Sequence, residues 1–415
     1  MRNNTMKFDF SQSFDTDLPA AHTRPWSEFP EYNFVGGHND ADSLPVEKLA
    51  EACNRILLRE GGTLATYTLQ SGPQGYLPLR EFLIAKLKNT AAIDCNADDI
   101  LLTSGSLQAI DLINAALLNR KDGAKPTVIV EQSNYAGVLS RLRIAGVGIV
   151  SVGVDNNGMR TDELKTVLQS LKATGSKPAY IYTIPTVHNP TGTIMSVQRR
   201  RELIDLAVEY DVPIFEDECY ADLVWSGERP PALYAMDTTA RVIHVGSFSK
   251  TIAPALRVGY IVADWSLIGQ LLSLKTDAGS GALEQMLLAE YCSEHFDQHV
   301  KTLNKNLQLK LQVLTNAIDR EFGTSAEYTV PPGGIFLWLK LPAQVDTTVL
   351  AEAAAAGGVA INPGVEWSLH EDANRYIRIC FANPLQKTID DGITRLASIC
   401  HQQFGVPVTG SNQNR

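Results

Sequence analysis

The feature that most constrains the fold of this chain is a regular alternation of two hydrophobic periodicities. Stretches with helical periodicity lie at 78–89, 106–119, 135–145, 161–173 and 196–210. Short β-branched runs lie between or after them, at 127–131, 148–153, 179–184, 212–216 and 241–245. The runs are apolar on both faces, which is typical of strands covered by helices on two sides. The pattern predicts parallel βαβ units in an α/β fold, with a mostly parallel central sheet flanked by helices.

The pattern changes after a long helical tract at about 282–322. Strand-like runs near 335–340, 358–361 and 375–381 are interleaved there with helical stretches near 346–356 and 385–402. This predicts a small α+β domain at the C-terminus. We expect the following division: an arm at 1–30, a large α/β domain at 31–290 whose N-terminal part contributes to the small domain, the small domain at 291–405, and a tail at 406–415.

Composition excludes several classes of protein. The 415 residues include 36 basic and 46 acidic ones, a net charge of −10, and no stretch clusters five basic residues to neutralise phosphates. We therefore expect neither nucleic acid nor a membrane surface as a partner. No run of 18 apolar residues and no leader-like apolar core occurs, so we expect a cytoplasmic protein. The six cysteines form no Cys-x-x-Cys pair, which favours reduced thiols and no metal.

Polar side chains follow three of the predicted strands at the point where each strand ends. Lys250 comes after the apolar run 242–245, Asp217 ends another run with Tyr220 three residues later, and Asn189 follows a third. The carboxyl ends of parallel strands meet at one edge of a sheet, where such folds hold ligands. Taken singly, Lys250 fits a surface loop, Asp217 a helix N-cap and Asn189 a simple turn. Together they predict a site in which a desolvated lysine can form a Schiff base.

A fourth polar group opens a helical pattern. Ser104-Gly105-Ser106 precedes the apolar positions of the stretch 106–119. Free N–H groups at a helix start bind anions, and Gly105 permits a close approach of the backbone. The alternative, that Ser104 merely caps the helix, is compatible with the same sequence.

These motifs resemble those of fold-type I, pyridoxal 5′-phosphate (PLP)-dependent aminotransferases of class I/II, in the branch with 2-aminoadipate and aromatic aminotransferases. The likeness covers about residues 30–405. It rests on the block around Lys250, Asp217-x-x-Tyr220, Asn189-Pro-Thr-Gly, Thr103-Ser-Gly-Ser-Leu-Gln108, Gly75-Tyr76-x-Pro-Leu-Arg80, Pro332-Gly-Gly-x-Phe336, and Arg378 within Tyr376–Phe381. The resemblance implies the PLP fold type I and ping-pong, Schiff-base transfer of an α-amino group between an amino acid and a 2-oxo acid.

The resemblance also implies roles for the residues. Lys250 would carry the cofactor and act as general base, Asp217 would face the ring nitrogen, and Tyr220 and Asn189 would contact the ring hydroxyl oxygen. The implied ligands of the phosphate are Ser104, Gly105, Ser106, Ser247, Ser249 and Arg257.

Three further residues complete the implied site. Tyr135 would stack on the cofactor, although it also fits an ordinary loop tyrosine. Arg378 would bind the substrate α-carboxylate beside the backbone of Gly37, with a structural ion pair as the less favoured alternative. We also expect a cis peptide bond between Asn189 and Pro190.

One position departs from the family pattern. The family places a tyrosine about five residues before the glycine of Gly75-Tyr76, where it reaches the phosphate of the neighbouring subunit. This chain has Gln70 at that offset and Tyr67 three residues earlier. Tyr67 is our candidate and Gln70 stays open as the alternative, and the contact implies a homodimer with shared active sites.

Two rival functions follow from the same residues. Removal of an α-proton also opens lyase, cyclase or oxidase chemistry, which the motifs around the ring do not distinguish. A second rival is a PLP-sensing transcriptional regulator. It is disfavoured because only about 30 residues precede the motifs and no basic face is evident.

Overall fold

A computed structural model describes residues 9–13, 28–118 and 126–407. Most of the predicted arm and of the predicted tail lies outside these residues. The helices are α1 (Val46–Glu60), α2 (Leu77–Ala91), α3 (Ser106–Leu117), α4 (Ala136–Ile144), α5 (Thr161–Ala173), α6 (Val197–Glu209), α7 (Leu233–Met236), α8 (Trp265–Leu274), α9 (Ala282–Phe322), α10 (Thr347–Ala356) and α11 (Gln386–Phe404).

Fourteen short strands are found in the described residues. They are β1 (Tyr32–Asn33), β2 (Ile100–Thr103), β3 (Thr127–Glu131), β4 (Gly148–Val152), β5 (Val154–Asp155), β6 (Gly158–Met159), β7 (Pro178–Thr183), β8 (Ile214–Asp217), β9 (Val242–Ser247), β10 (Gly259–Val262), β11 (Phe336–Lys340), β12 (Val359–Ala360), β13 (Asn362–Pro363) and β14 (Tyr376–Cys380).

The central sheet has seven strands in the order β2-β10-β9-β8-β7-β3-β4. Its neighbours are parallel from β9 to β4, and only β10 runs antiparallel to both strands beside it. The strands β2, β3, β7, β8 and β9 therefore all point their carboxyl ends to one edge. The prediction of a mostly parallel sheet flanked by helices is confirmed.

Both faces of the sheet are buried, as its apolar runs predict. Within β3, Ile129 packs into one hydrophobic cluster while Val128 and Val130 pack into another on the opposite face. The five predicted runs in this region correspond to β3, β4, β7, β8 and β9. The sequence patterns do not predict four elements of this region: strands β2 and β10 and helices α1 and α8.

The C-terminal region forms the predicted small α+β unit. Strands β11, β14 and β13 make an antiparallel sheet in that order, covered by α10 and α11. Strand β1 joins this region through parallel pairing with β12, at Tyr32 with Val359 and Asn33 with Ala360. The segment just after the arm therefore pairs with the C-terminal part of the chain.

Helix α9 connects the two parts of the fold. Its 41 residues give a length of about 60 Å. The half up to Phe296 packs with α1 and α2, and the half from Leu303 packs into the C-terminal core. The boundary that we predict at residue 290 lies inside this continuous helix and stays a prediction. Among the described helices, none has the combination of length and apolar character needed to cross a bilayer.

Candidate active site

The predicted site residues lie along one edge of the central sheet. Asp217 and Ser247 are the last residues of β8 and β9, and Lys250 follows three residues after Ser247. Tyr135 and Asn189 come from the loops after β3 and β7. Because these strand ends are neighbours, the sheet brings together residues that lie more than 100 positions apart in sequence.

Lys250 points at the N-terminal segment. Its Nζ donates to the carbonyl oxygen of Gly37 at 2.5 Å and lies 5.7 Å from the ring centroid of Tyr220. A Cβ on Gly37 would stand 3.4 Å from Nζ, so this glycine leaves room for the amine. Burial lowers the pKa of Lys250, and the charge on Arg378 adds to the effect, so the neutral, nucleophilic amine is favoured.

Asp217 is a buried carboxylate without a cationic partner in the described part of the chain. It is 4% exposed. Its Oδ2 accepts from the phenol of Tyr182 at 2.6 Å and its Oδ1 accepts from the N–H of Cys219 at 3.1 Å. No helix begins at Asp217, so the N-cap interpretation is wrong. A buried carboxylate satisfied only by neutral donors fits a protonated ring nitrogen of the cofactor.

Asn189 links two other site residues. Its Nδ2 donates to the phenol oxygen of Tyr220 at 3.1 Å, and its Oδ1 lies 3.4 Å from Nη1 of Arg378. Burial raises the pKa of Tyr220 well above its usual value, so the phenol keeps its proton. The peptide bond between Asn189 and Pro190 is cis, which confirms that prediction.

Arg378 is a buried guanidinium lying between two aromatic rings. Its Cζ is 3.4 Å from the ring centroid of Trp367 and 3.9 Å from that of Phe336. Its Nη2 donates to the carbonyl oxygen of Val35 at 3.0 Å, while the buried Nε has no partner among the described residues. Burial lowers the pKa of Arg378 to about 10, which still leaves it charged at neutral pH.

No acid forms an ion pair with Arg378 among residues 9–13, 28–118 and 126–407. The alternative interpretation of Arg378, a structural ion pair, is therefore wrong for the described residues. A buried cation without a counter-ion costs free energy, so the arrangement fits an anionic ligand group.

A second site that fits an anion lies at the start of α3. It consists of residues 104–106 and Arg257, and we call it the α3 cradle. Gly105, at φ 80°, is the N-cap, and no side chain caps this helix. A Cβ on Gly105 would collide with Nη2 of Arg257, which itself donates to the carbonyl oxygen of Ser104 at 3.2 Å. Ser104 is not the cap, so that alternative is wrong. The free N–H groups of the helix start, beginning at Ser106, and the guanidinium fit a phosphate.

The remaining predicted ligands lie near this cradle or face the site. The N–H of Ser249 donates to Oγ of Ser247 at 3.1 Å, and both serines are buried. Tyr135 directly precedes α4, and its ring centroid lies 6.1 Å from that of Trp367. Tyr135 is thus packed beside the residue that covers Arg378.

Tyr67 lies apart from this group. Its side chain is 82% exposed and makes no hydrogen bond within the described residues. It lines a cleft of about 490 Å³ together with parts of the segments 64–76 and 277–285. The next three residues, Thr68, Leu69 and Gln70, all have positive φ angles, 63°, 50° and 55°. The surface position leaves Tyr67 available to another subunit.

Sequence reasoning missed two residues of the site, Tyr182 and Trp367. Tyr182 is a phenol inside a strand that is buried on both faces, and a buried phenol needs a partner, which is a usable signal. Trp367 directly follows the short 3₁₀ segment Gly364–Glu366, which comes after β13. Its proximity to Arg378 depends on the packing of β14 against that segment, and no local pattern encodes it.

Comparison with known proteins identifies the class of protein first. The fold is that of PLP-dependent enzymes of fold type I. The structure of LysN, the α-aminoadipate aminotransferase of Thermus thermophilus, solved with N-(5′-phosphopyridoxyl)-L-leucine, superposes with a TM-score of 0.85 at 27% identity. The match covers 96% of this chain and all of that one.

The family follows from the sequence match. Residues 33–396 match the family "Aminotransferase class I and II", to which this chain belongs. It is a PLP-dependent aminotransferase. Aromatic-amino-acid aminotransferase 1 of Thermococcus litoralis is 32% identical over 90% of this chain and 88% of its own length. An uncharacterised HTH-type transcriptional regulator of Bacillus subtilis, YdfD, is 34% identical over 78% of this chain and 65% of its own length.

Proposed function

We propose that Lys250, Asp217, Tyr220, Asn189 and Arg378 carry out the amino transfer at this site, in a cytoplasmic homodimer. The observation that carries the proposal is Arg378. It is buried, has no acid partner in the described residues, and is joined to Tyr220 through Asn189. This puts an anion-binding group beside the lysine amine, as recognition of an α-amino acid requires.

The first part of the mechanism concerns the amine. When bound, PLP withdraws electrons from the bonds of the substrate α-carbon. Lys250 would hold the cofactor through its amine, and the same amine, when it is not engaged in that bond, would accept the proton of the substrate α-carbon. Because burial lowers the pKa of Lys250, a larger fraction of its amine is neutral and able to accept a proton than in an exposed lysine. The carbonyl oxygen of Gly37 accepts a hydrogen bond from Nζ of Lys250 at 2.5 Å and holds the amine in place.

The second part concerns orientation. Arg378 holds the substrate carboxylate with its free donor edge, and the rings of Trp367 and Phe336 keep the guanidinium plane fixed. Asp217 would hold the protonated ring nitrogen, and Asn189 and Tyr220 would donate to the ring oxygen. These contacts set the α-carbon near Lys250.

The third part concerns the phosphate group. Ser104, Gly105 and Ser106 offer the N–H groups of α3, and Arg257 offers a planar fork beside them. Ser247 and Ser249 add hydroxyl groups from the end of β9. Such fixed donors would hold the phosphate group in place independently of Lys250.

The homodimer is part of the proposal, because the exposed Tyr67 would reach the phosphate of the neighbouring subunit. Subunit mixing tests it. A Lys250→Ala subunit supplies an intact Tyr67, and a Tyr67→Phe subunit supplies an intact lysine. A dimer of one subunit of each kind contains one complete site out of two. The mixture should therefore recover about a quarter to a half of the wild-type activity per subunit. If a Tyr67→Phe enzyme keeps full cofactor affinity, Tyr67 has no such role.

The chemical outcome is tested by single turnover. One amino acid without an acceptor should convert bound PLP stoichiometrically into pyridoxamine phosphate and yield one 2-oxo acid. Ammonia release without an acceptor would instead support elimination or oxidation. Aromatic amino acids and 2-aminoadipate are the donors to test first, because similar proteins are named for them.

The similarity to YdfD supports a second candidate, a transcriptional regulator that senses the cofactor. We favour the enzyme, because a free lysine amine, an anion-binding arginine and a cofactor cradle are all present together. Repeated turnover with a donor and an acceptor decides between the two. A regulator would bind the cofactor without sustained amino transfer.

A further inference from the structure

The carboxylate of Asp217 is held on both of its oxygens. Oδ1 accepts the N–H of Cys219 at 3.1 Å, a local bond from the segment just after β8. Oδ2 accepts the phenol of Tyr182 at 2.6 Å, a bond that comes from the neighbouring strand β7. The thiol of Cys219 also hydrogen-bonds to this carboxylate, so all of these donors are neutral, and the phenol is the one that comes from another strand.

Tyr182 is itself held rigidly. Its side chain is fully buried, and its ring packs edge-on against Phe215, with centroids 5.0 Å apart and planes at 76°. The phenol donates to no other residue in the described segments. Burial, with the charge on Asp217 as the next cause, raises the pKa of Tyr182 well above its usual value, so the hydroxyl remains a donor.

We propose that Tyr182 is a positioning residue, which fixes the carboxylate of Asp217 so that its remaining lone pairs face the ring nitrogen of the cofactor. The inference rests on the proposed role of Asp217. Without the phenol, the carboxylate would keep only the local donors of Cys219 and would turn to satisfy Oδ2 elsewhere. Part of the favourable pairing with the ring would then be lost, because a preorganised acceptor binds more tightly than a mobile one.

The chain offers a matched control on the same strand. Tyr180 lies two residues before Tyr182, is also fully buried, and packs on the same Phe215 with centroids 5.9 Å apart. Its phenol donates at the same distance, 2.6 Å, but to Oδ1 of Asn114. Tyr180→Phe therefore removes an equivalent buried hydrogen bond without touching Asp217.

The experiment compares PLP binding to apoprotein of the wild type, Tyr182→Phe and Tyr180→Phe. Tyr182→Phe should raise the dissociation constant about tenfold or more, and Tyr180→Phe by less than about threefold. In an Asp217→Asn background, Tyr182→Phe should change the constant little, because the residue acts through Asp217. Equal effects of the two phenol deletions, or an undiminished effect in the Asp217→Asn background, would overturn the inference.

A spectroscopic readout separates positioning from general destabilisation. A poorly positioned Asp217 stabilises the protonated ring nitrogen less, and loss of that positive charge makes the imine more basic. The visible band of the bound cofactor should therefore titrate at higher pH in Tyr182→Phe, whereas in Tyr180→Phe its titration should be unchanged. If the apoprotein of a variant precipitates, the rate of cofactor release from the purified holoenzyme gives the same comparison. A wild type that binds no PLP would refute the proposed function, whereas identical wild-type and Tyr182→Phe behaviour would refute only this inference.

Discussion

The guanidinium of Arg378 lies 3.4 Å from the ring centroid of Trp367 and 3.9 Å from that of Phe336. The two rings fix the plane of a charge that is otherwise held by one strong hydrogen bond, to the carbonyl oxygen of Val35. Trp367 is in turn anchored to the loop after β3, because its carbonyl oxygen accepts the N–H of Asn134 at 2.7 Å. The backbone thereby connects the loop that carries Tyr135 to the residue that covers Arg378.

Trp367→Leu should therefore raise KM for amino acids about tenfold while leaving PLP affinity within about twofold, since a desolvated cation–π contact contributes up to about 2 kcal/mol. Trp367→Phe should retain most of the wild-type KM. Steady-state kinetics and a cofactor titration measure both. Trp265→Leu is the control, because Trp265 is an exposed residue at the first position of α8 and is not part of the site. A KM unchanged in Trp367→Leu would contradict the assigned role.

Arg378→Lys should lower kcat/KM by about a hundredfold, although the charge is kept. The fork that donates to a carboxylate through two parallel N–H groups is lost, and an ammonium cannot stack in the same way between two rings. The loss should appear mainly in KM, and cofactor affinity should stay near that of the wild type. An Arg378→Lys enzyme with wild-type kcat/KM would mean that another group binds the α-carboxylate.

Gly105→Ala should weaken PLP binding by about tenfold or more. The added Cβ would collide with Nη2 of Arg257 and displace the guanidinium from the cradle. The positive φ adds about 1 kcal/mol of backbone strain. Gly62→Ala is the matched control, because a Cβ at Gly62 has no neighbour within 4 Å in the described part of the chain. Cofactor titration of both variants, with thermal unfolding, separates the local effect from general destabilisation.

The apoprotein should contain one lysine that reacts with amine reagents at unusually low pH. Burial lowers the pKa of Lys250, so its neutral fraction at any pH below the ordinary lysine value is larger than that of an exposed lysine. Lys387, paired with Asp391 on the surface, has a raised pKa and is the internal reference. Competitive acetylation across a pH series, measured by mass spectrometry, gives the pH of half-maximal reactivity for each lysine. This midpoint should be lower for Lys250 than for Lys387. A midpoint above that of Lys387 would contradict the account.

Local sequence patterns predict the parts of the fold with strong periodicity. Helix α9 and strands β3 and β7 lie where their apolar patterns place them, and so do the strand ends with Lys250 and Asp217. Strand β10 escapes prediction because Gly259–Val262 is a four-residue run close to the block around Lys250, and its antiparallel insertion between β2 and β9 depends on tertiary pairing. Four residues carry too little periodicity to be recognised alone.

Individual site residues can be predicted where a single charged side chain occurs in an otherwise apolar run. A lysine, a carboxylate and an arginine at buried strand positions each require a partner, which the sequence reveals. The contacts between them are not predictable. The hydrogen bond between Asn189 and Tyr220 and the position of Trp367 over Arg378 join residues that are distant in sequence, and the register of two sheets sets their geometry. The role proposed for the exposed Tyr67 depends on a second subunit, which no pattern in one chain describes.

The most direct test of the account is to find where the cofactor is attached. Holoenzyme reduced with borohydride, digested and analysed by mass spectrometry should carry the phosphopyridoxyl group on the peptide that contains Lys250, at close to one group per subunit. Lys250→Ala should carry none, although it retains Arg257 and the α3 cradle. Attachment to a different lysine, or full labelling of Lys250→Ala, would contradict the central claim.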